Sequence, residues 1–203
     1  MLPILLGVIG ISLSGVMMPG PVTAVTVAKI YRTPWAGAQI AIGHAVIEVP
    51  LILLIYFGFG QFFDNIIVRL VLSVLGGGML IWLGVSMFRV RAEVVHSGKD
   101  LPYSAVTAGI LTSALNPFFL LWWVTVGTKL IMEFHDFGTT GLIAFTLTHW
   151  LSDLAWLSLV SVLVYRTQKL WRGKAQEGVF IACSLLLIGF GGWFLVSGIQ
   201  LVA

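Results

Sequence analysis

Charge is scarce in this chain. Only 9% of its 203 residues are Asp, Glu, Lys or Arg, and 59% are hydrophobic, whereas a soluble domain carries about 25% charged residues. That excludes a soluble globular domain and leaves an integral membrane protein, almost all of it within the bilayer. The 11 Lys and Arg residues are scattered along the chain, which excludes a nucleic-acid footprint. Cysteine is nearly absent. Cys183 has no partner in the chain, which excludes an internal disulfide, a thiolate metal cluster and a paired-thiol redox carrier. No Gly-x-x-x-x-Gly-Lys-Ser/Thr phosphate loop is present, which argues against a nucleotide-driven pump. The stretch Met1-Leu2-Pro3-Ile4 carries no positive charge, and no A-x-A-like cleavage site follows it. The first apolar run is therefore expected to stay in the membrane. No nucleophile stands in a recognisable catalytic setting, so the chain does not read as an enzyme, and nothing calls for a cofactor.

What is present is a series of apolar runs. Six are long enough to cross a bilayer, which needs about 20 residues each: Leu5–Ala28, Trp35–Phe59, Ile66–Phe88, Ser104–Val126, Gly138–Val164 and Gly178–Leu201. The links between them hold most of the charge. With the N-terminus outside, Lys29, Arg32, Arg89, Arg91, Lys99, Arg166, Lys169, Arg172 and Lys174 fall inside, and only Arg69 and Lys129 fall outside. The positive-inside rule then gives a multi-pass plasma-membrane protein with both termini outside.

The two halves repeat three features in the same order. Met18-Pro19-Gly20-Pro21 in the first run is matched by Asn116-Pro117 in the fourth, and His44-x-x-x-Glu48 by His149-x-x-x-Asp153. Gly77-Gly78 with Gly84 is matched by Gly191-Gly192 with Gly198 at the same internal spacing. An odd number of spans per half places the halves in opposite orientations. The expected architecture is an all-α membrane protein of six transmembrane helices, arranged as two inverted three-helix repeats. Residues 1–92 form the first repeat, 93–103 a cytoplasmic linker and 104–203 the second repeat. That is a common build of secondary transporters.

The polar residues inside the apolar runs carry the chemistry. An acid at the centre of a membrane helix costs roughly 2.5–3.5 kcal/mol on insertion scales, and here there are two. Residues four apart lie on one helix face, so His44 can meet Glu48, and His149 can meet Asp153. Two readings stay open. The pairs are either polar glue between helices or a buried proton or substrate site. Histidine titrates near pH 6.5 when unperturbed, which suits holding or passing a proton near neutrality.

The breaks sit beside these pairs. Proline lacks an N–H and clashes with the carbonyl one turn back. Pro19, Gly20 and Pro21 should therefore interrupt the first helix, and Pro117 the fourth, with the Asn116 amide as an added donor and acceptor. Broken helices at matched positions point to a transport site. Pro50 should free the carbonyl of Val46, near the face of His44 and Glu48. Ser12, Ser14, Thr23, Thr26, Thr112 and Ser113 flank the breaks and read as partners for freed backbone. The glycine strips read as close helix packing and allow either a monomer or a homodimer. Trp122 and Trp123 read equally as cavity lining or lipid-facing bulk.

With these residues quoted, the chain resembles the LysE/RhtB family of amino-acid exporters. Pro19-Gly20-Pro21, the polar cluster led by Gly43, and Asn116-Pro117 carry the likeness, which covers nearly the whole length. The resemblance implies a small-molecule substrate, export of amino acids or similar solutes, and coupling to protons. One departure stands out. Many members have Gly-Asp in the second span, where this chain has Gly43-His44 with the acid one turn later at Glu48. The wider superfamily also contains exporters of divalent metals, and histidine with carboxylate at this spacing can ligate a metal. A metal as cargo on His44, Glu48, His149 and Asp153 is the alternative reading.

Overall fold

A computed structural model of the chain describes residues 2–17, 20–31, 33–58, 65–93, 101–170 and 173–201. The described residues are almost entirely helical. In order they form α1 (Leu2–Val16), α2 (Pro21–Ile30), α3 (Ala36–Tyr56), α4 (Ile66–Ala92), α5 (Ala105–Ala114), α6 (Pro117–Trp122), α7 (Thr128–His135), α8 (Gly138–Thr167) and α9 (Lys174–Gln200). A π-helical turn, Trp123–Gly127, joins α6 to α7.

Four of these helices, α3, α4, α8 and α9, are long and apolar enough to cross a membrane. Two further spans arise if each bent pair counts as one. Helices α1 and α2 meet at 74°, and α5 meets the helical segment Phe119–His135 at 62°. Both bends fall where proline was expected to break the helix. Gly20 caps α2 in an extended conformation and Pro21 opens it. There the missing N–H of proline costs nothing, because the first N–H groups of a helix have no internal acceptor. At the second bend the backbone N–H of Leu120 donates to the Asn116 carbonyl, and Pro117 opens α6. Pro19 lies outside the described residues.

The helix bounds depart most from the sequence reading at the fourth span. The fourth span was expected to end at Val126, but helix continues through the π turn to His135. Breaking the run at Leu115–Asn116 shortens its first part, and α7 completes the length. Lys129 therefore lies within a helix rather than a link. Pro50 is carried inside α3. Val46 is 51% exposed and Pro50 is exposed beside it. The carbonyl that Pro50 frees thus belongs to the outer face of α3, away from the buried His44 and Glu48.

Glycine sets the helix spacings. A side-chain carbon on Gly77 would sit 2.7 Å from the Gly191 carbonyl oxygen, and one on Gly191 would sit 2.6 Å from that of Gly77. Helices α4 and α9 therefore run backbone against backbone there, the close approach that small residues permit in lipid. Around α3 the same device recurs. A carbon on Gly43 would strike the carbonyl of Val106 on α5, one on Gly109 that of Ile40, and one on Gly37 that of Leu157 on α8. The Gly37 N–H donates to Ser161 Oγ at 3.1 Å, and the Trp150 indole N–H donates to the Ala41 carbonyl at 3.1 Å.

These contacts place α3 and α8 at the centre. Two apolar clusters flank the middle of each. Ile40, Ala41 and Leu157 join one cluster with Val25, Leu83 and Leu187. Leu51, Ile52, Leu142 and Phe145 join the other with Trp123 and Phe134. Between the clusters, on both helices, lie the two His/carboxylate pairs. The opposite faces carry exposed apolar stripes, Ile42 and Val46 on α3 and Leu147 and Leu151 on α8, as helices bordering lipid require.

Candidate functional site

The i, i+4 spacing brings each histidine over its own carboxylate, and the α3–α8 crossing brings the two pairs together. His44 Nε2 lies 3.0 Å from Glu48 Oε1 and 3.4 Å from Asp153 Oδ2. His149 Nε2 lies 3.1 Å from the same Glu48 oxygen and 3.8 Å from Asp153 Oδ2. All four side chains are buried, Glu48 completely. Each histidine therefore faces both acids, and each acid faces both histidines.

The far nitrogens are held by serines from the broken spans. His44 Nδ1 lies 2.6 Å from Ser113 Oγ on α5, and His149 Nδ1 lies 2.6 Å from Ser12 Oγ on α1. The first bond fixes a tautomer. A serine hydroxyl has one hydrogen, and that of Ser113 is donated to the Gly109 carbonyl at 2.7 Å. His44 Nδ1–H must then donate to Ser113 Oγ. In neutral His44 the Nε2 is consequently bare, facing two carboxylate oxygens. The second oxygen of Glu48, Oε2, is buried and has no hydrogen-bond partner among the described residues. Buried polar atoms are rarely left so.

The cluster lies among the residues that line a cavity of about 190 Å³. Its other lining comes from the two bends, with Ser12, Gly15, Val16 and Gly20 to Thr23 from the first and Asn116, Phe119, Trp122 and Trp123 from the second, together with Leu157 and Phe190. Aromatic rings shape the wall. Trp122 stacks on His149 with centroids 5.4 Å apart, and Trp123 meets the same ring edge-on at 4.9 Å. Phe119 meets His44 edge-on at 4.9 Å. The π turn sets Trp123, because that ring folds back over Gly127, where any side-chain carbon would collide with it. Inserted π turns are frequent at functional sites.

Of the residues expected at a site, His44, Glu48, His149 and Asp153 come within hydrogen-bonding or near-contact distance of each other. Asn116, Gly20 and Pro21 line the cavity. Pro117 acts on the backbone, as the first residue of α6. The sequence reading missed Ser12 and Ser113 as partners of the histidines. It groups them with Ser14, Thr26 and Thr112 as partners of backbone, and Ser113 is that as well, through the Gly109 carbonyl. Their matched positions, each a few residues before a helix break, were the available signal. Chemically, the four side chains can share hydrogen bonds, and three of them can surround a cation. Nitrogen and oxygen atoms of His44, Glu48 and Asp153 all lie within 4.8 Å of one another.

Comparison with known proteins adds two findings. Residues 13–198 match the family model described as LysE type translocator. The chain is 26% identical to the "Putative amino acid efflux protein YcgF" of Bacillus subtilis (strain 168) over 199 residues, covering 95% of this chain and 94% of that protein. No solved structure matches.

Proposed function

The chain belongs to the LysE type translocator family, and from that premise we propose that it is a proton-coupled secondary exporter of amino acids or similar small solutes. The relative described as an amino acid efflux protein spans nearly the whole chain, which supports that class of cargo. The observation that carries the reading is the four-membered His/carboxylate cluster opening on a cavity between two broken spans. Ionisable groups within membrane spans mark transport and proton pathways.

Coupling follows from competition. Histidine N–H groups and a positively charged group on the substrate need the same carboxylate oxygens of Glu48 and Asp153. Loading the substrate displaces the proton, and loading the proton displaces the substrate, which makes the exchange an antiport. The serine contacts favour two inverted repeats, 1–92 and 104–203. Ser12 of the first half holds His149 of the second, and Ser113 of the second holds His44 of the first. Rocking one repeat against the other would open the cavity alternately to each side. Both termini face outward in this arrangement.

One observation favours a second reading. Donor atoms around tetrahedral zinc lie roughly 3.3 Å apart, given bonds of about 2.0–2.1 Å. His44 Nε2 lies 3.0 and 3.4 Å from the two carboxylates, and the donor atoms of His44, Glu48 and Asp153 all lie within 4.8 Å of one another. A divalent cation as cargo would fit that spacing. Flux into proteoliposomes, screened over amino acids and divalent cations with and without a pH gradient, separates the two. Gradient-driven flux of an amino acid supports the first reading. Flux of a divalent cation alone overturns it.

A further inference from the structure

The inward face of α1 empties as the helix nears its bend. Val8, Ser12 and Gly15 follow one another at helical spacing on that face. Val8 is fully buried in the cluster that holds Trp123. Ser12 holds His149 Nδ1 at 2.6 Å. Gly15 brings no side chain to the cavity that it helps to line. It differs from the packing glycines. A carbon on Gly37, Gly43, Gly77 or Gly109 would strike a backbone carbonyl of a neighbouring helix. A carbon on Gly15 would find its nearest neighbour at 3.6 Å, the indole Nε1 of Trp122, with two ring carbons at 3.7 and 3.8 Å. Those are ordinary van der Waals separations, so helix packing does not call for glycine there. Gly7 and Gly10, also on α1, are exposed and have open space beside them.

The gap between Gly15 and the Trp122 ring thus takes one carbon in van der Waals contact. The ring has little room to retreat from a larger group. It stacks on His149 with centroids 5.4 Å apart and meets Trp123 edge-on at 5.2 Å. His149 is itself buried, and Phe145 stacks on it at 6.0 Å. Rings packed in this way yield space only at a cost. Carbons added at position 15 beyond the first therefore enter the cavity of about 190 Å³. What the glycine supplies is room, in the same cavity that the carboxylates of Glu48 and Asp153 help to line.

We propose, building on the exporter reading, that Gly15 is a specificity-determining residue. The space left by its missing side chain, against Trp122, receives the side chain of the transported amino acid and sets how bulky that side chain can be. Alanine at position 15 fills the gap in contact with the ring, and valine extends past it. One methylene more or less in an apolar site shifts selectivity by about 10–200-fold, so the effect grows with the size of the residue at position 15.

The test is initial uptake into proteoliposomes of the full chain, measured for each standard amino acid. The number read is the rate for the bulkiest amino acid that wild type carries, divided by the rate for the smallest. Gly15→Val should lower this ratio at least about tenfold, and Gly15→Ala should lower it by less. Gly10→Val, on the same helix but away from the cavity lining, should keep the wild-type ratio. An unchanged ratio in Gly15→Val, or an equal fall in Gly10→Val, would overturn the proposal while leaving an amino-acid exporter. If Gly15→Val moves nothing, Gly15→Ala decides, and a wild-type ratio there overturns the proposal. If wild type carries no amino acid, the exporter reading fails and takes the proposal with it.

Discussion

Replacing Ser113 with alanine should move the pH profile of transport to the acidic side by about one unit. Ser113 is fully buried, so water does not replace its oxygen. The variant removes the acceptor 2.6 Å from His44 Nδ1. Neutral His44 can respond by moving its hydrogen to Nε2, where Glu48 Oε1 waits at 3.0 Å. Protonated His44 has no such escape, since both nitrogens carry hydrogen and Nδ1–H is left unpaired. An unmade buried hydrogen bond costs about 1–3 kcal/mol, and part of that falls on the neutral form as an unfilled acceptor. A difference of about 1.4 kcal/mol corresponds to one pH unit. The proton-loaded state thus needs about tenfold more protons to reach the same occupancy. Initial rates of proton-driven amino-acid uptake into proteoliposomes, measured across pH, give the midpoint. The Ser113→Ala midpoint should lie about one unit below that of wild type, with monodisperse size exclusion confirming the fold. A superimposable profile in a folded variant would refute the assignment of His44 as a proton-holding group.

Other substitutions test the remaining contacts. Asp153→Asn should abolish accumulation driven by a pH gradient while the protein still elutes as a folded species; gradient-driven accumulation at the wild-type level would remove Asp153 from the coupling cluster. Gly77→Ala should lower thermal stability, by about 1–3 kcal/mol as for an overpacked core, because its new carbon meets the Gly191 carbonyl oxygen at 2.7 Å. Gly78→Ala, with nothing within 4 Å, should melt like wild type; equal effects of the two would contradict the α4–α9 packing. A C-terminal alkaline phosphatase fusion should be active, since that enzyme matures outside the cytoplasm; an inactive fusion with a bright fluorescent-protein counterpart would reverse the proposed orientation.

Much of this molecule is legible in one dimension because lipid makes the rules strict. An apolar run of about 20 residues can only be a helix, and a proline pair or Asn-Pro within it can only break that helix. The His44/Glu48 and His149/Asp153 spacings are helical neighbours by arithmetic. Partners from distant spans were not legible in this way. Ser12 and Ser113 look like any membrane-helix serine until α1 packs on α8 and α5 on α3. Trp122 and Trp123 read equally as cavity lining or lipid-facing bulk until both are seen against the His149 ring, and nothing local in Trp123-Val124-Thr125-Val126-Gly127 announces the π turn. Pro50 misled in the opposite direction. Its distance from Glu48 along the chain is small, but two residues along a helix turn the side chain to the far face.

The most direct measurement records amino-acid and proton movement together. Vesicles carrying an internal pH dye are made acidic inside and given labelled amino acid outside, with wild type and Glu48→Gln compared. Wild-type vesicles should accumulate the label while their interior turns alkaline, and Glu48→Gln vesicles should do neither. Accumulation without any pH change, or undiminished exchange in Glu48→Gln, would contradict a proton site built from these four side chains.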